Sequence, residues 1–105
     1  MRMWNVDTEK MCNQHLLGEH VEMHMFAGTL NKGVSVRGYI EKGLVEIHNI
    51  AKRHDEIAKE MLKRNMNHKS PIQKFKKVVA GKVNVQKNAI DLAKRCKECR
   101  KKMRK

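Results

Sequence analysis

Apolar residues recur at spacings of three and four in three separate segments, and no other feature of the sequence limits the fold as strongly. The segments are residues 9–30, residues 49–64 and the chain from Val85 onward. This spacing places the apolar side chains of each segment on one face of an α-helix. We therefore expect an all-α protein, a compact single domain spanning 1–105 and built on three main helices.

The connecting segments lack this spacing. Residues 1–10 indicate an extended N-terminal arm, and the glycine-containing stretch 31–49 indicates a loop with one helical turn. In residues 72–83 basic and apolar residues alternate, which predicts a short helix ending at Gly81. Asn84 is a suitable N-cap for the third main helix.

The charge of the chain is strongly positive and unevenly divided. Lysine and arginine number 24 against 11 acidic residues, a net charge of +13. Residues 1–50 hold five basic and six acidic side chains, a net charge of −1, whereas residues 51–105 hold 19 and five, a net charge of +14. Such an excess favours a polyanionic partner, and the basic C-terminal helix or tail at about 85–105 is its densest part. A solvated basic face without a partner is the alternative interpretation.

Composition excludes several classes of protein. Only four large aromatic rings are present, too few for a sheet that stacks the bases of single strands. No apolar run approaches the length of a membrane span, and no apolar signal core follows Arg2, so we expect a cytoplasmic, DNA-associated protein without a membrane partner. Three cysteines fit reduced thiols better than a disulfide framework.

A histidine and two carboxylates share one face of the first predicted helix. His15, Glu19, Glu22 and Phe26 follow each other at spacings of four, three and four. Such a face can carry out general acid–base catalysis. The alternative is an ordinary helix surface with polar residues in solvent.

Metal binding is only weakly indicated. His20 and His24 are four residues apart, which suits two ligands of one ion, but the HExxH order is absent. Cys96 and Cys99 form a single CxxC, and Cys12 with a histidine could complete four ligands only if the fold happened to bring them together. We therefore expect the two CxxC cysteines to pack as small apolar residues, with no metal and no cofactor.

The chain also offers an N-terminal amine as a nucleophile. An α-amino group is far less basic than a lysine side chain, so a larger share of it is neutral at pH 7. A neutral primary amine can attack C1′ of a sugar and form a Schiff base. Because Arg2 is large, we expect Met1 to be retained and to carry this amine.

Two stretches resemble a known family. Residues 12–28, CNQHLLGEHVEMHMFAG, are similar to the first helix of the pyrimidine-dimer DNA glycosylase/AP lyase family, the phage-type endonuclease V repair enzymes. The specific part is the run Q-H-L-x-x-E-x-x-E, formed here by Gln14, His15, Leu16, Glu19 and Glu22. Residues 53–67 resemble the middle helix of the same family.

The resemblance implies a base-excision activity on double-stranded, UV-damaged DNA. Enzymes of this family flip a nucleotide out at a cyclobutane pyrimidine dimer, attack C1′ with the N-terminal amine, and cleave the abasic site by β-elimination. For this chain, the resemblance implies that Met1 is the nucleophile and that Glu22 is the essential carboxylate. His15 and Arg2 match the family's histidine and N-terminal basic residue. Such enzymes act as monomers, and we expect the same here.

Further residues are expected to support this site or to contact DNA. Gln14 and Glu19 belong to the motif on the first helix, and basic side chains elsewhere supply contacts to the phosphates. The basic candidates are Arg37, Lys52, Arg53, Lys94 and Arg95.

The sequence departs from the family at several positions. Val21 and Met25 stand where the family has basic residues, Met1 replaces a small first residue, and the aromatic C-terminal tail is missing. An AP lyase acting on other base lesions is therefore an alternative. So is a non-enzymatic, architectural DNA-binding protein, with a small metal-binding regulator as the third interpretation.

Overall fold

The structure is a computed structural model that describes residues 1–68 and 70–104. Within these residues, two short 3₁₀ turns, Thr8–Lys10 and Ile47–Asn49, accompany five α-helices. The helices are α1 (Asn13–Asn31), α2 (Arg37–Glu41), α3 (Ile50–Lys63), α4 (Val85–Arg95) and α5 (Lys97–Met103). The described residues contain no strand, and α1, α3 and α4 are the three main helices, so the all-α prediction is confirmed. None of the helices in this part of the chain is both long and apolar enough to span a membrane.

The first helix begins later than its apolar spacing predicts. Residues Thr8–Lys10 form a separate 3₁₀ turn, capped by the Asp7 side chain, which accepts from the backbone N–H of Glu9. Met11 and Cys12 are extended, and the Cys12 Sγ accepts from the backbone N–H of His15. A sulfur N-cap therefore starts α1 at Asn13.

The core lies between α1 and α3 and is closed by the N-terminal segment. Apolar side chains from one face of each helix are buried, as the periodicity predicts. The segment before α1 adds Met3, Trp4 and Val6, and the backbone N–H of Met3 donates to the carbonyl of Leu44 at 2.7 Å. From α4, the Asn88 side chain donates to the carbonyl of Trp4 at 2.9 Å. These bonds hold the first residues against the helices.

The helix predicted within 72–83 is not formed. These residues are irregular, and most of their side chains, including those of Val78 and Val79, are exposed. A helix this short is stable only when one of its faces packs against the core, and most of these side chains do not. The segment is instead tied down by the backbone N–H of Ile47, which donates to the carbonyl of Ala80 at 2.9 Å.

The last predicted helix is broken at Cys96. Its start is confirmed, because the Asn84 side chain caps α4 by accepting from the backbone N–H of Lys87. Cys96, however, is extended, and its Sγ accepts from the backbone N–H of Cys99. The chain therefore turns at this sulfur and starts α5.

Gly81 allows the irregular segment to approach the core backbone. Its φ is +93°, and a Cβ at this position would collide with the carbonyl oxygen of Val45. We expect Gly81→Ala to lower the free energy of unfolding by about 1–3 kcal/mol, measured by urea denaturation. Gly18→Ala is the control, because a Cβ there meets no atom within 4 Å in the middle of α1. It should raise stability by about 0.5–1 kcal/mol; equal effects of the two changes would contradict this assignment.

Candidate active site

Glu22 lies half-buried on α1, close enough to the N-terminal amine for the two charges to interact. Burial raises the pKa of the Glu22 carboxyl above its ordinary value. The nearby N-terminal amine lowers this pKa, Glu19 raises it, and a backbone hydrogen bond and the charge of Arg2 lower it, with a net increase. Met1 itself is partly buried and packs against the core. The two residues predicted to be catalytic therefore lie within electrostatic range of each other.

The Arg2 side chain is held against α4. Its guanidinium lies 3.8 Å from the centroid of the Trp4 ring and donates to Asn88 Oδ1 at 2.7 Å. A weaker contact of 3.3 Å joins it to Asp91 Oδ2. With a side chain only 17% exposed, Arg2 positions the first residues on α4, and its charge is partly balanced by Asp91.

Glu19 and Arg53 form a buried ion pair between α1 and α3. The two bonds between the guanidinium and the carboxylate are 2.7 and 2.8 Å long, and the side chains are 0% and 2% exposed for Glu19 and Arg53. The backbone N–H of Asn5 also donates to Glu19 Oε2 at 3.3 Å, at a point where the chain bends with a φ of +56°. The sequence predicts Arg53 as a DNA contact, but its guanidinium does not reach the surface. Its role in the structure is to support Glu19.

The other two polar residues of the motif point elsewhere. Gln14 is exposed at the start of α1. The His15 ring packs edge-on against Trp4, with 6.3 Å between centroids, and its Nδ1 lies 3.2 Å from Cys12 Sγ. His15 is thus engaged with a thiol, whereas Glu22 lies within electrostatic range of the N-terminal amine.

The remaining basic candidates are on the surface. Arg37, Lys52, Lys94 and Arg95 are all exposed. Arg37 is paired with Glu41 on the same helix at 2.8 Å. The Arg95 guanidinium lies 5.9 Å from the centroid of the Trp4 ring, which places it on the side of the molecule that holds Arg2.

Exposed apolar residues flank Glu22 on α1. Val21 is 48% and Met25 50% exposed, at the two positions where the resemblance expects basic residues. An apolar surface therefore borders the candidate carboxylate, and charged DNA contacts there have to come from other elements.

Three contacts of the Arg2 side chain could not be predicted from the sequence. Trp4, Asn88 and Asp91 hold Arg2, yet Arg2 and Asn88 are separated by 86 positions along the chain. The sequence indicates these contacts only weakly, because Asn88 and Asp91 lie three residues apart on α4 in an otherwise basic segment.

Two groups of four side chains could each hold a metal ion. In each group, one ligand atom per residue lies within 4.8 Å of all the others, among the residues that the structure describes. The thiol cluster consists of Cys12, His15, Cys96 and Cys99. The imidazole cluster consists of His20, His24, His54 and His68.

Comparison with known proteins identifies one family. The family model described as "Pyrimidine dimer DNA glycosylase" matches residues 1–74, which include the N-terminal segment and α1 to α3. No curated protein and no solved structure matches the chain. Since the matched residues make up well over half of the sequence and contain Met1, Glu19 and Glu22, the chain belongs to the pyrimidine dimer DNA glycosylase family.

Proposed function

We propose that the protein excises cyclobutane pyrimidine dimers from double-stranded DNA and then cleaves the abasic site that it has made. The observation that carries this proposal is that the half-buried Glu22 lies within electrostatic range of the N-terminal amine, in a chain of this family. A protein that only binds DNA has no need for a carboxylate next to a free amine. The proposed activities are therefore those of a DNA glycosylase and an AP lyase.

The proposed reaction begins with the amine of Met1. Its nitrogen attacks C1′ of the 5′ sugar of the dimer, the glycosylic bond breaks, and the pyrimidine leaves with the bonding electrons and gains a proton. Loss of protons from the nitrogen and opening of the sugar ring give a Schiff base. Removal of a proton from C2′ then expels the 3′ phosphate in a β-elimination. Glu22 stabilises the positive charge that develops on the sugar and serves in the proton transfers.

The geometry around Met1 supports this assignment. Asn88 and Arg2 fix the first residues on α4, while Glu19 accepts from the backbone of Asn5. These contacts remove conformational freedom from the segment that carries the amine. A nucleophile held in place reacts with a far smaller entropic cost than a free chain end.

Binding of the duplex is assigned to the basic surface of the second half of the chain. Lys94 and Arg95 of α4 are exposed on the helix that also holds Arg2. Phosphate contacts of this kind weaken steeply with salt. Extrusion of a nucleotide costs a few kcal/mol and is easiest where a lesion has already weakened stacking, which favours damaged over intact DNA.

The raised pKa of Glu22 predicts the acidic limb of the pH profile. The ionised carboxylate is the active form, so activity is lost as the pH falls through the pKa of Glu22. Because burial raises this pKa, we expect the single-turnover excision rate to begin its decline above the ordinary glutamate value of 4.5. Rates measured between neutral and acidic pH on a saturating duplex test this. An acidic limb at or below 4.5 would contradict the assignment.

A second candidate is an AP lyase without selectivity for dimers. The observation that favours it is the exposed apolar pair Val21 and Met25, which replaces two basic residues beside Glu22. Loss of two phosphate contacts would weaken the hold on a kinked, dimer-containing duplex more than the Schiff-base chemistry itself.

Three duplexes separate these activities. One carries a single pyrimidine dimer, one a single abasic site and one no lesion, all of the same sequence and at the same salt concentration. We expect strand cleavage of the first two and none of the third. Cleavage of the abasic duplex alone would support the second candidate. Binding of all three duplexes without cleavage of any would overturn both proposals and leave a DNA-binding protein.

A further inference from the structure

The two halves of the thiol cluster share one local geometry. Cys12 and Cys96 are the N-caps of α1 and α5, both extended, and each is followed three residues later by a second ligand, His15 or Cys99. In each half the cap sulfur accepts the backbone N–H of that second ligand, at 3.4 Å. The local backbone of each half therefore brings two potential ligand side chains together at the start of a helix.

The distances within the thiol cluster fit one tetrahedral ion. Cys12 Sγ lies 3.7 Å from Cys96 Sγ and 3.2 Å from His15 Nδ1. With Zn–S bonds of 2.3 Å and Zn–N bonds of 2.0–2.1 Å, tetrahedral ligands are separated by about 3.8 Å for two sulfurs and about 3.5 Å for sulfur and nitrogen. The backbone N–H of Cys12 donates to Cys99 Sγ at 3.2 Å, which also orients the fourth ligand.

We propose that Cys12, His15, Cys96 and Cys99 bind one Zn²⁺ ion that joins α5 to the start of α1. Three thiolates and an imidazole are a donor set that favours zinc, and four protein ligands leave no open position, as in structural zinc sites. Three thiolates and one Zn²⁺ carry a net charge of −1, which the basic residues around α5 balance. This assignment gives His15 a structural role.

The imidazole cluster is a second candidate metal site, and it shares no residue with the thiol cluster. His20 and His24 are one turn apart on α1, His54 comes from α3, and His68 from the segment after it. The Nε2 atoms of His24 and His68 lie 3.1 and 3.2 Å from Nε2 of His54, against about 3.3 Å between nitrogens around a tetrahedral Zn²⁺ ion.

Hydrogen bonds alone do not satisfy these nitrogens. Nε2 of His54 faces two imidazole nitrogens and the carbonyl of Ser70, although a neutral imidazole nitrogen either donates one bond or accepts. Nε2 of His20 is buried and has no hydrogen-bond partner among residues 1–68 and 70–104. A cation at the centre would satisfy all four rings, and the Asp55 carboxylate, 3.0 Å from Nδ1 of His54, is placed to orient that ligand from behind. We infer that this cluster binds a second Zn²⁺ ion.

Two such ions would add stability at two points where other parts of the chain meet the α1–α3 core. The thiol cluster attaches α5, and the imidazole cluster attaches the start of the irregular stretch after α3, to the α1–α3 core. Chains of this length bury a modest core, and metal sites are a common supplement to it.

Metal analysis of the purified full-length protein tests both sites without DNA. We expect two equivalents of zinc per chain in protein purified without chelators. Cys96→Ser combined with Cys99→Ser should lose one equivalent, and His24→Asn combined with His68→Asn should lose the other. His48→Asn is the matched control, since His48 belongs to neither cluster, and it should keep both.

Cobalt substitution distinguishes the two ligand sets. Addition of Co²⁺ to the metal-free protein should give tetrahedral d–d bands together with a near-ultraviolet thiolate-to-cobalt band. The cysteine variant should lose only the near-ultraviolet band and its share of the d–d intensity, and the histidine variant should keep that band. Retention of the near-ultraviolet band in the cysteine variant would overturn the zinc site at the thiol cluster. Unchanged metal content in the histidine variant would overturn the site at the imidazole cluster.

A measurement on the unaltered protein tests the thiol site even if the variants fail to fold. In the zinc-loaded protein we expect all three thiols to react slowly with a thiol reagent, and to become reactive when a chelator removes the metal. Protein that carries no zinc and whose thiols react at the same rate with and without added Zn²⁺ would overturn the thiol site. Both outcomes are independent of whether the protein cleaves DNA.

Discussion

Glu22→Gln is expected to lower single-turnover base excision by about 10³-fold and to leave binding of the damaged duplex nearly unchanged. The substitution keeps the size of the side chain and removes its charge. The lost interactions are those made only when positive charge develops on the sugar and when protons move, so the rate falls while affinity for the ground state does not. Excision rates on a saturating dimer-containing duplex and affinities from titration separate the two effects.

Glu56→Gln is the control for Glu22→Gln. Glu56 is an exposed carboxylate of α3, so this variant removes the same single charge from the surface. It should excise at the rate of the unaltered protein. If Glu22→Gln also retained full activity, Glu22 would not be the catalytic carboxylate.

Glu19→Gln is expected to lower the free energy of unfolding by about 3–5 kcal/mol. The change leaves the Arg53 guanidinium buried without a countercharge and weakens the bond that holds the backbone of Asn5. Urea denaturation at neutral pH measures the loss. Because Asn5 belongs to the segment that carries the amine, excision should weaken as well.

Two further variants show whether the loss of stability comes from leaving a buried charge unpaired or from losing any ion pair. Glu41→Gln breaks the exposed pair between Arg37 and Glu41, whose side chains are 83% and 61% exposed, and should cost less than about 1 kcal/mol. Glu19→Leu combined with Arg53→Met leaves no unpaired charge and should recover much of the stability. Equal costs for the buried and exposed pairs would contradict the role given to Glu19.

Much of the helical framework could be predicted from the sequence. The expected second helix, about 49–64, is α3 at Ile50–Lys63, and Asn84 caps α4 as its side chain suggests. Periodicity succeeds where a helix packs one apolar face on the core. It fails at Cys12 and Cys96, where a sulfur caps a new helix inside an apolar pattern that continues across the break.

The candidate site was only partly predictable, because its contacts cross long stretches of chain. The spacing of His15, Glu19 and Glu22 places them on one side of α1, but it does not tell which of them points inward. Glu19 is buried by Arg53, 34 positions away, and His15 turns towards Cys12. The thiol cluster joins residues 84 positions apart, so a single CxxC is a weak signal without the fold.

Borohydride trapping identifies the group that attacks the sugar. A duplex carrying a dimer is incubated with the protein and sodium borohydride, which reduces a Schiff base to a stable amine, and the cross-linked peptide is identified by mass spectrometry. The predicted result is one adduct on the α-amine of Met1, lost when the N-terminus is acetylated or extended. An adduct on a lysine side chain, or strand cleavage with no adduct at all, would show that the α-amine of Met1 is not the nucleophile.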